Sequence, residues 1–225
     1  MANINVLLVD DHIIVRQGVR ALLVAENDLT IVAEAQTGRE AVQLAIELQP
    51  DVVVMDLAMP RLNGCEATRQ LMKVVPTAKV VVLSTYSDDE HLQQALAAGA
   101  AAYLLKQTAA ADLVQAIREV RKGNAYFSPA IAKRVREQTS TPPAPGASVK
   151  AANLELTPRE AEVLQLIAEG FANKQIAGEL GLSVKTVEKH RQQVMYKLNI
   201  HDIAGLVRHA VEKGIIEMSP AGVPG

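Results

Sequence analysis

The sequence predicts a doubly wound α/β domain with a five-stranded parallel sheet, followed by a small all-α domain. In residues 1–122, five short apolar runs alternate with five amphipathic segments of helical periodicity. This alternation is typical of a doubly wound parallel sheet with helices on both faces. In residues 154–218, short helical segments are separated by glycines, a pattern typical of a helix-turn-helix.

The elements of the first domain can be assigned in chain order. The predicted strands are INVLLVD, LTIVAEA, DVVVMD, AKVVVLS and AAYLLK. The predicted helices are HIIVRQGVRALLVAE, GREAVQLAIELQ, CEATRQLMKVV, DDEHLQQALAAG and ADLVQAIREVRKG. Pro50 and Pro76 end the second and third helices, because proline lacks the amide proton that a helix interior requires. We expect right-handed connections between the parallel strands.

Residues 123–153 predict a segment that connects the two domains. Within it, SPAIAKRVRE at 128–137 is typical of a short basic helix. The following TSTPPAPGASVKAAN at 139–153 is rich in Pro, Ser, Thr and Ala and lacks apolar periodicity, which is typical of a linker. A long ordered surface loop is the alternative interpretation of this second stretch.

The composition predicts a cytoplasmic protein without a membrane partner. A single cysteine, Cys65, excludes an internal disulfide and favours a reducing compartment. No apolar run reaches the roughly 18–20 residues that span a bilayer. An acidic pair follows MANINVLLV too early for a signal peptide. The net charge of −2 does not indicate nucleic-acid binding, although basic charge can still be local.

Polar side chains follow four of the predicted strands at the points where those strands end. Asp10 and Asp11 follow the first strand, Asp56 the third, Ser84 the fourth and Lys106 the fifth. Because ligands of open α/β sheets bind beyond the carboxyl ends of the strands, we expect these groups to converge. Three crowded carboxylates repel one another unless a cation lies among them, and their hard oxygens suit Mg²⁺.

Each of these residues has a simpler interpretation when it is taken alone. Asp11 or Asp56 could cap a helix, Ser84 could be an ordinary hydroxyl at a strand end, and Lys106 could be a solvated surface lysine. The joint arrangement is much less probable by chance than any one of its members. It therefore favours a functional site.

Helix-start signals divide the second domain. A Thr-Pro pair at 157–158 with Glu160 three residues after the threonine predicts a capping box. Asn173 is predicted to cap a second helix, and Ser183 a third helix after a turn at Gly181. In the helix that starts after Thr157, the residues predicted to face the core are Leu164, Ile167, Ala168 and Phe171.

The residue pattern of the third helix in this domain predicts an exposed basic face. Val187, Val194 and Leu198 lie at helical spacing and are expected to face the core. Residues 183–198 contain four Lys or Arg and one Glu, a net charge of +3. The side chains predicted on the opposite face are Lys185, Glu188, Lys189, Gln192 and Tyr196. A merely solvated helix face is the alternative, and the helix-turn-helix context favours DNA binding instead.

The motifs LLVDDH, DVVVMDLAMPRLNG, VVVLS and AAYLLK together resemble the receiver domain of bacterial two-component response regulators, over nearly all of residues 4–122. The resemblance implies that Asp56 is the phospho-acceptor and therefore a nucleophile. It also implies that Mg²⁺ is bound by Asp10, Asp11, Asp56 and the backbone carbonyl of Ala58. A carboxylate can attack a phosphoryl group to form an acyl phosphate.

Three further roles follow from the same resemblance. Ser84 would hydrogen-bond the phosphoryl group, Lys106 would pair with it, and Tyr103 would be the switch residue that repositions when Ser84 engages the phosphate. The sequence departs from many receivers at one position, because Gln107 stands where they have a proline after the lysine. The departure bears on the position of Lys106 and on switching kinetics rather than on its role.

The segment LTPREAEVLQLIAEGFANKQIAGELGLSVKTVEKHRQQVMYKL resembles the LuxR-type DNA-binding domain, so the whole chain resembles a NarL/FixJ-type response regulator. By position, the side chains implied to contact DNA are Lys185, Thr186, Glu188, Lys189, His190, Arg191 and Gln192. Of these, Glu188, Lys189 and Gln192 would reach base edges and the others mainly phosphates. A half-buried packing role is the alternative for His190. The fourth helix, DIAGLVRHAVEKG, is where the family pairs its DNA-binding domains.

These observations predict a DNA-binding transcription regulator, not an enzyme in its biological role. The implied partners are a sensor histidine kinase, promoter DNA, RNA polymerase and a second copy of the chain after activation. A haloacid dehalogenase-type phosphatase is disfavoured, because such enzymes have a second acid two residues after the nucleophile, where this chain has Ala58. A phosphorylation-independent DNA-binding regulator with a degenerate receiver is the other alternative, and the intact acids argue against it.

Overall fold

The computed structural model describes residues 3–107, 110–128, 131–132 and 156–216, and the chain divides into two compact units. The described residues of the first unit end at 132, and those of the second begin at 156. The predicted linker at 139–153 lies outside the described residues, as does most of the predicted basic helix at 128–137.

The first unit contains one parallel sheet with the strand order β2-β1-β3-β4-β5-β6. Its strands are β1 (Ile4–Val9), β2 (Leu29–Ala35), β3 (Val52–Met55), β4 (Lys79–Ser84), β5 (Ala102–Leu105) and β6 (Tyr126–Phe127). The parallel α/β fold and its five strands are confirmed. The sequence did not predict β6, because a strand of two residues has no periodicity to detect.

In the part of the first unit that the structure describes, five helices pack on the two faces of this sheet. They are α1 (Ile13–Val24), α2 (Gly38–Leu48), α3 (Gly64–Val74), α4 (Asp89–Ala98) and α5 (Ala110–Arg121). Val53 of β3 packs in the same buried cluster as Leu71 of α3, whereas Val54 packs with Ile117 of α5 on the other face. Because successive side chains of β3 are buried on opposite faces, the strand is apolar throughout.

The strand order places the ends of β1 and β3 side by side. Val9 pairs with Met55, and the amide of Asp56 donates to the carbonyl oxygen of Val9 at 2.9 Å. Asp10 and Asp56, the next residue of each strand, therefore emerge at the same edge of the sheet. Strand β2 lies on one side of β1, and β3 lies on the other side. The direction of the connections therefore reverses at β1, and this edge is the switch point of the topology.

In its described residues, 156–216, the second unit contains four helices around one apolar core. They are α6 (Pro158–Ala168), α7 (Asn173–Leu180), α8 (Val184–Leu198) and α9 (Ile203–Glu212). Helix α6 contacts the other three, which explains why it buries Val163 and Leu166 in addition to the predicted Leu164 and Ile167. The other two predicted inward residues, Ala168 and Phe171, are half-buried.

The predicted helix starts of this unit are confirmed with one exception. Thr157 and Glu160 form the capping box, and the hydroxyl of Ser183 accepts from the amide of Thr186. Asn173 does not cap α7, because the helix begins at Asn173 and Ala172 occupies the N-cap position. The carboxamide oxygen of Asn173 instead accepts a hydrogen bond from Arg191 at 3.1 Å. Within the described residues, every helix is too short or too polar to cross a bilayer.

Candidate functional site

The acidic residues at the sheet edge form a compact cluster. Asp10 and Asp56 are almost completely buried, and Asp11 is half-buried. One potential ligand atom from each of Asp10, Asp11, His12 and Asp56 lies within 4.8 Å of all the others. His12 was not predicted as part of this cluster, and its position directly after the acidic pair is the only sequence signal for it. The three predicted carboxylates are therefore brought together.

Lys106 joins two of these carboxylates. Its Nζ atom lies 2.8 Å from Oδ2 of Asp10 and 2.8 Å from Oδ2 of Asp56. Burial raises the pKa of Asp56 to about 6, although Lys106 opposes the rise and Asp10 adds to it. Burial alone would lower the pKa of Lys106, but the Asp56 and Asp10 carboxylates raise it above its ordinary value. The ammonium group thus compensates negative charge that would otherwise be buried at high cost.

The donor set fits Mg²⁺. Oδ1 of Asp11 is buried without a hydrogen bond from any described residue, although Nδ1 of His12 lies 2.9 Å away in the geometry of an ion pair. A hard divalent cation prefers carboxylate oxygens as ligands, and Oδ1 of Asp11 is an oxygen that no donor occupies among the described residues. Because Mg²⁺ prefers oxygen to imidazole nitrogen, we expect His12 to contact Asp11 rather than the metal.

The loop after β3 folds back on the strand that it leaves. The amide of Gly64 donates to the carbonyl oxygen of Leu57 at 2.9 Å. A Cβ atom at Gly64 would overlap the backbone of Asp56, so only glycine fits this close approach. Oδ1 of Asp56 accepts from the amide of Leu57 at 2.8 Å, which orients the carboxylate. Ala58, the predicted carbonyl ligand, is half-buried in the same loop, and its role stays a prediction.

The two predicted switch residues meet at a third residue that the sequence did not predict. Ser84 and Tyr103 are fully buried. The amide of Tyr86 donates to Oγ of Ser84 at 3.0 Å, and the hydroxyl of Tyr103 donates to the carbonyl oxygen of Tyr86 at 2.9 Å. Burial raises the pKa of Tyr103 to about 12, with a smaller opposing effect from Ser84. The phenol is therefore a neutral donor near neutral pH.

Helix α8 carries the predicted DNA-contact residues, and their exposure varies. The exposed members are Lys185, Glu188, Lys189 and Gln192, and the half-buried members are Thr186, His190 and Arg191. Tyr196, on the same predicted face, is 75% exposed. Lys197 does not belong to this surface, because its Nζ lies 2.7 Å from Oε2 of Glu160 and its side chain is 15% exposed. The exposed face is thus less basic than the sequence count of residues 183–198 suggested.

Two family models match the chain, one in each unit. Residues 6–118 match the response regulator receiver domain, and residues 154–210 match the bacterial regulatory proteins of the luxR family. The chain belongs to the bacterial response regulators. The first match includes every predicted residue of the acidic site, and the second includes the whole of α8.

Known relatives agree with this assignment. The response regulator protein VraR of Staphylococcus aureus is 37% identical over 216 residues, which cover 95% of this chain and 99% of VraR. A LuxR-family two-component response regulator from an Aurantimonas species matches 62% of this chain and 100% of its own, at 36% identity and a TM-score of 0.59. The homologues named in these comparisons are regulators and not enzymes.

A third similar protein has been solved with DNA. RcsB of Salmonella enterica serovar Typhimurium, bound to a promoter in the presence of the phosphomimetic BeF3-, is 26% identical. The alignment covers 92% of this chain and 97% of that one, with a TM-score of 0.56. The similarity therefore extends through both units of this chain, the receiver and the LuxR-type DNA-binding domain that follows it.

Proposed function

We propose that this response regulator is switched by phosphorylation of Asp56 from a partner sensor histidine kinase and then binds promoter DNA through α8. The observation that carries the proposal is the position of Lys106, whose ammonium group contacts both Asp10 and Asp56 at 2.8 Å. A buried carboxylate paired with one cation and adjacent to two further acids is suited to accept a phosphoryl group and poorly suited to a purely structural role.

Asp56 acts as the nucleophile. One of its carboxylate oxygens attacks phosphorus, the bond between phosphorus and the kinase histidine nitrogen breaks, and an aspartyl phosphate forms. Lys106 stabilises the charge that develops on the phosphoryl oxygens. Mg²⁺, held by Asp10, Asp11, Asp56 and the backbone carbonyl of Ala58, would supply further positive charge to those oxygens. With a pKa of about 6, Asp56 is mainly ionised at neutral pH, as a nucleophile must be.

Ser84 and Tyr103 transmit the change to the rest of the receiver. Ser84 donates its hydroxyl proton to a phosphoryl oxygen, and Tyr103 then changes its position. Both side chains lie in the buried network around Tyr86, so movement of either is coupled to the β4–α4 loop. Phosphorylation can shift the receiver only if it changes the free-energy difference between two conformations, and we expect these to differ in this network.

The DNA-binding surface is the exposed face of α8. Lys185, Thr186, His190 and Arg191 contact mainly phosphates, while Glu188, Lys189 and Gln192 reach base edges in the major groove. The exposed positions of Lys189 and Gln192 support a groove-facing role. The described structure supports a mixed role for Arg191, because its guanidinium also donates to Asn173 of α7.

The wider organisation follows from the same proposal. The receiver spans residues 1–122, the connecting helix and linker 123–153, and the DNA-binding domain 154–218. Activation favours a homodimer that pairs through α9, because a two-fold operator requires two reading helices. The regulator works in the cytoplasm, where it contacts RNA polymerase at its promoters. RcsB, a similar protein, has been solved as two dimers bound to two DNAs.

Phosphorylation at Asp56 can be tested with acetyl phosphate and Mg²⁺. Intact-mass spectrometry should show one added phosphoryl group on the wild type and none on Asp56→Asn. Glu47→Gln, which changes an exposed carboxylate of α2, is the matched control and should label like the wild type. Equal labelling of the wild type and Asp56→Asn would exclude Asp56 as the acceptor.

Control of DNA binding can be tested on the full chain with and without acetyl phosphate. We expect phosphorylation to raise both the mass in sedimentation and the affinity for a selected operator. Identical mass and identical affinity in the two samples would favour the phosphorylation-independent alternative. Asp56→Asn should behave like the unphosphorylated wild type in both measurements.

A further inference from the structure

An aromatic pair links the β4–α4 loop to the first turn of α4, and the proposed switch does not use it. The rings of Tyr86 and His91 are stacked, with centroids 3.9 Å apart and planes 4° apart. His91 lies in the first turn of α4 and is 9% exposed. Nδ1 of His91 lies 2.7 Å from both carboxylate oxygens of Asp88, which is the N-cap of the same helix. The imidazole is therefore fixed on one edge by Asp88 and on one face by Tyr86.

The main chain of Tyr86 holds both predicted switch residues. Its amide donates to Oγ of Ser84, and its carbonyl oxygen accepts from the hydroxyl of Tyr103. A serine hydroxyl has one proton and two acceptor positions, so the bond from Tyr86 limits the directions in which Ser84 can donate. Movement of Ser84 or Tyr103 therefore disturbs the main chain of Tyr86, and this in turn disturbs the ring stacked on His91.

We infer that Tyr86 and His91 are positioning residues that hold Ser84 and Tyr103 in the arrangement described above and oppose its rearrangement on phosphorylation. The inference rests on the proposed phosphorylation of Asp56. A stacked aromatic pair stabilises the loop conformation that contains it. If a ligand binds only the rearranged state, its apparent affinity equals its intrinsic affinity multiplied by the fraction of molecules in that state. Weakening the stack should therefore increase the apparent affinity for a phosphoryl mimic.

The test uses the full chain and titration with BeF3- in the presence of Mg²⁺, followed by NMR. Tyr86→Leu and His91→Leu remove the stack and should each tighten apparent binding by about two- to tenfold. Tyr86→Phe keeps a stacking ring and the main-chain bonds, so it should tighten binding less than Tyr86→Leu. The double variant Tyr86→Leu/His91→Leu should tighten binding no more than one single variant, because both remove the same contact.

Two further variants separate positioning from damage to the fold. Gln93→Ala alters the exposed face of α4 and should change nothing. Asp88→Asn keeps a good helix cap but weakens the hold on the imidazole, so it should tighten binding by less than His91→Leu. If the leucine variants fold poorly, Asp88→Asn can still be used to test the inference. A residue with a merely structural role would lower the melting temperature and weaken binding.

The outcomes are distinguishable. Unchanged or weaker binding of BeF3- in the leucine variants and in Asp88→Asn, with normal binding by the wild type, would overturn the inference and leave the phosphorylation proposal intact. If the wild type itself does not bind BeF3-, or if Asp56→Asn binds it equally well, the proposed function is wrong and the inference falls with it.

Discussion

The two sites of this protein differ in where their charged side chains lie. At the sheet edge, Asp10, Asp56 and Lys106 are largely buried, and Lys106 is bonded to both carboxylates. On α8, Lys185 and Lys189 are exposed. Burying charge is costly unless it is compensated, whereas an exposed lysine costs little. Changes at the first site should therefore alter chemistry, and changes at the second should alter DNA binding without affecting the fold.

The largest effect is expected from Lys106→Met. Loss of the ammonium group leaves Asp10 and Asp56 buried without their cation and removes the proposed stabilisation of negative charge that develops on the phosphoryl oxygens. We expect the rate of phosphorylation by acetyl phosphate to fall by about 100-fold, measured by intact-mass spectrometry over time. Lys122→Met, which removes a surface lysine paired with Glu119, should leave the rate unchanged. A Lys106→Met rate within threefold of the wild type would contradict the role of Lys106.

Among its described residues, the second unit also contains a largely buried ion pair, and this pair makes the comparison sharper. Lys197→Met removes the partner of Glu160, whose side chain is 7% exposed. We expect the free energy of unfolding around α6 and α8 to fall by about 2–3 kcal/mol, measured by native-state hydrogen exchange of the full chain. Lys185→Met, on the exposed face of α8, should change it by less than about 0.5 kcal/mol. Equal effects would contradict the distinction between the two lysines.

The same ion pair has a pH dependence of known sign. Burial alone would raise the pKa of Glu160, but hydrogen bonds from Lys197 and Thr157 hold it below its ordinary value of 4.5. A lowered folded-state pKa contributes stability that is present above pH 4.5 and lost as the pH falls through the folded value. Acidification below pH 4.5 should therefore destabilise the wild type more than Lys197→Met.

Substitution of the residues predicted to read bases should change DNA-binding specificity more than the stability of the fold. Lys189→Ala and Gln192→Ala each remove an exposed side chain predicted to reach the major groove. We expect each to weaken binding to the preferred operator by about 1–3 kcal/mol and to relax sequence preference, measured by competition gel shift. Gln43→Ala, an exposed position of α2, is the control. Unaltered affinity and specificity in Gln192→Ala would mean that this face of α8 does not enter the groove.

The sheet-edge site was predictable because parallel strands bring their carboxyl ends to one edge. The strand patterns alone therefore placed Asp10, Asp56 and Lys106 together. The sequence did not predict that Lys106 would contact both carboxylates, because that depends on side-chain conformation. It also did not predict the contact of Tyr86 with His91, because the four residues between them form a loop and a helix start without periodicity.

The second unit was less predictable at the level of individual partners. Helical spacing correctly assigned the buried and exposed sides of α8. It gave no indication that Lys197 binds Glu160, which lies 37 positions earlier in the chain. Asn173 was assigned as a cap from its residue type alone, although its carboxamide oxygen accepts from Arg191 of α8 at 3.1 Å. Local propensity is a weak guide where a side chain from another helix offers a better partner.

The smallest effect is expected from Lys185→Ala. Lys185 is exposed in the first turn of α8 and is predicted to contact phosphate, so its loss should weaken binding to all sequences alike. Because each phosphate contact releases about one counterion, the slope of log affinity against log salt should fall by about one. Lys174→Ala removes the same charge from an exposed position of α7 and should change the slope less. Equal slopes for the two variants would mean that the basic face of α8 attracts DNA only through the net charge of its unit, as a merely solvated face would.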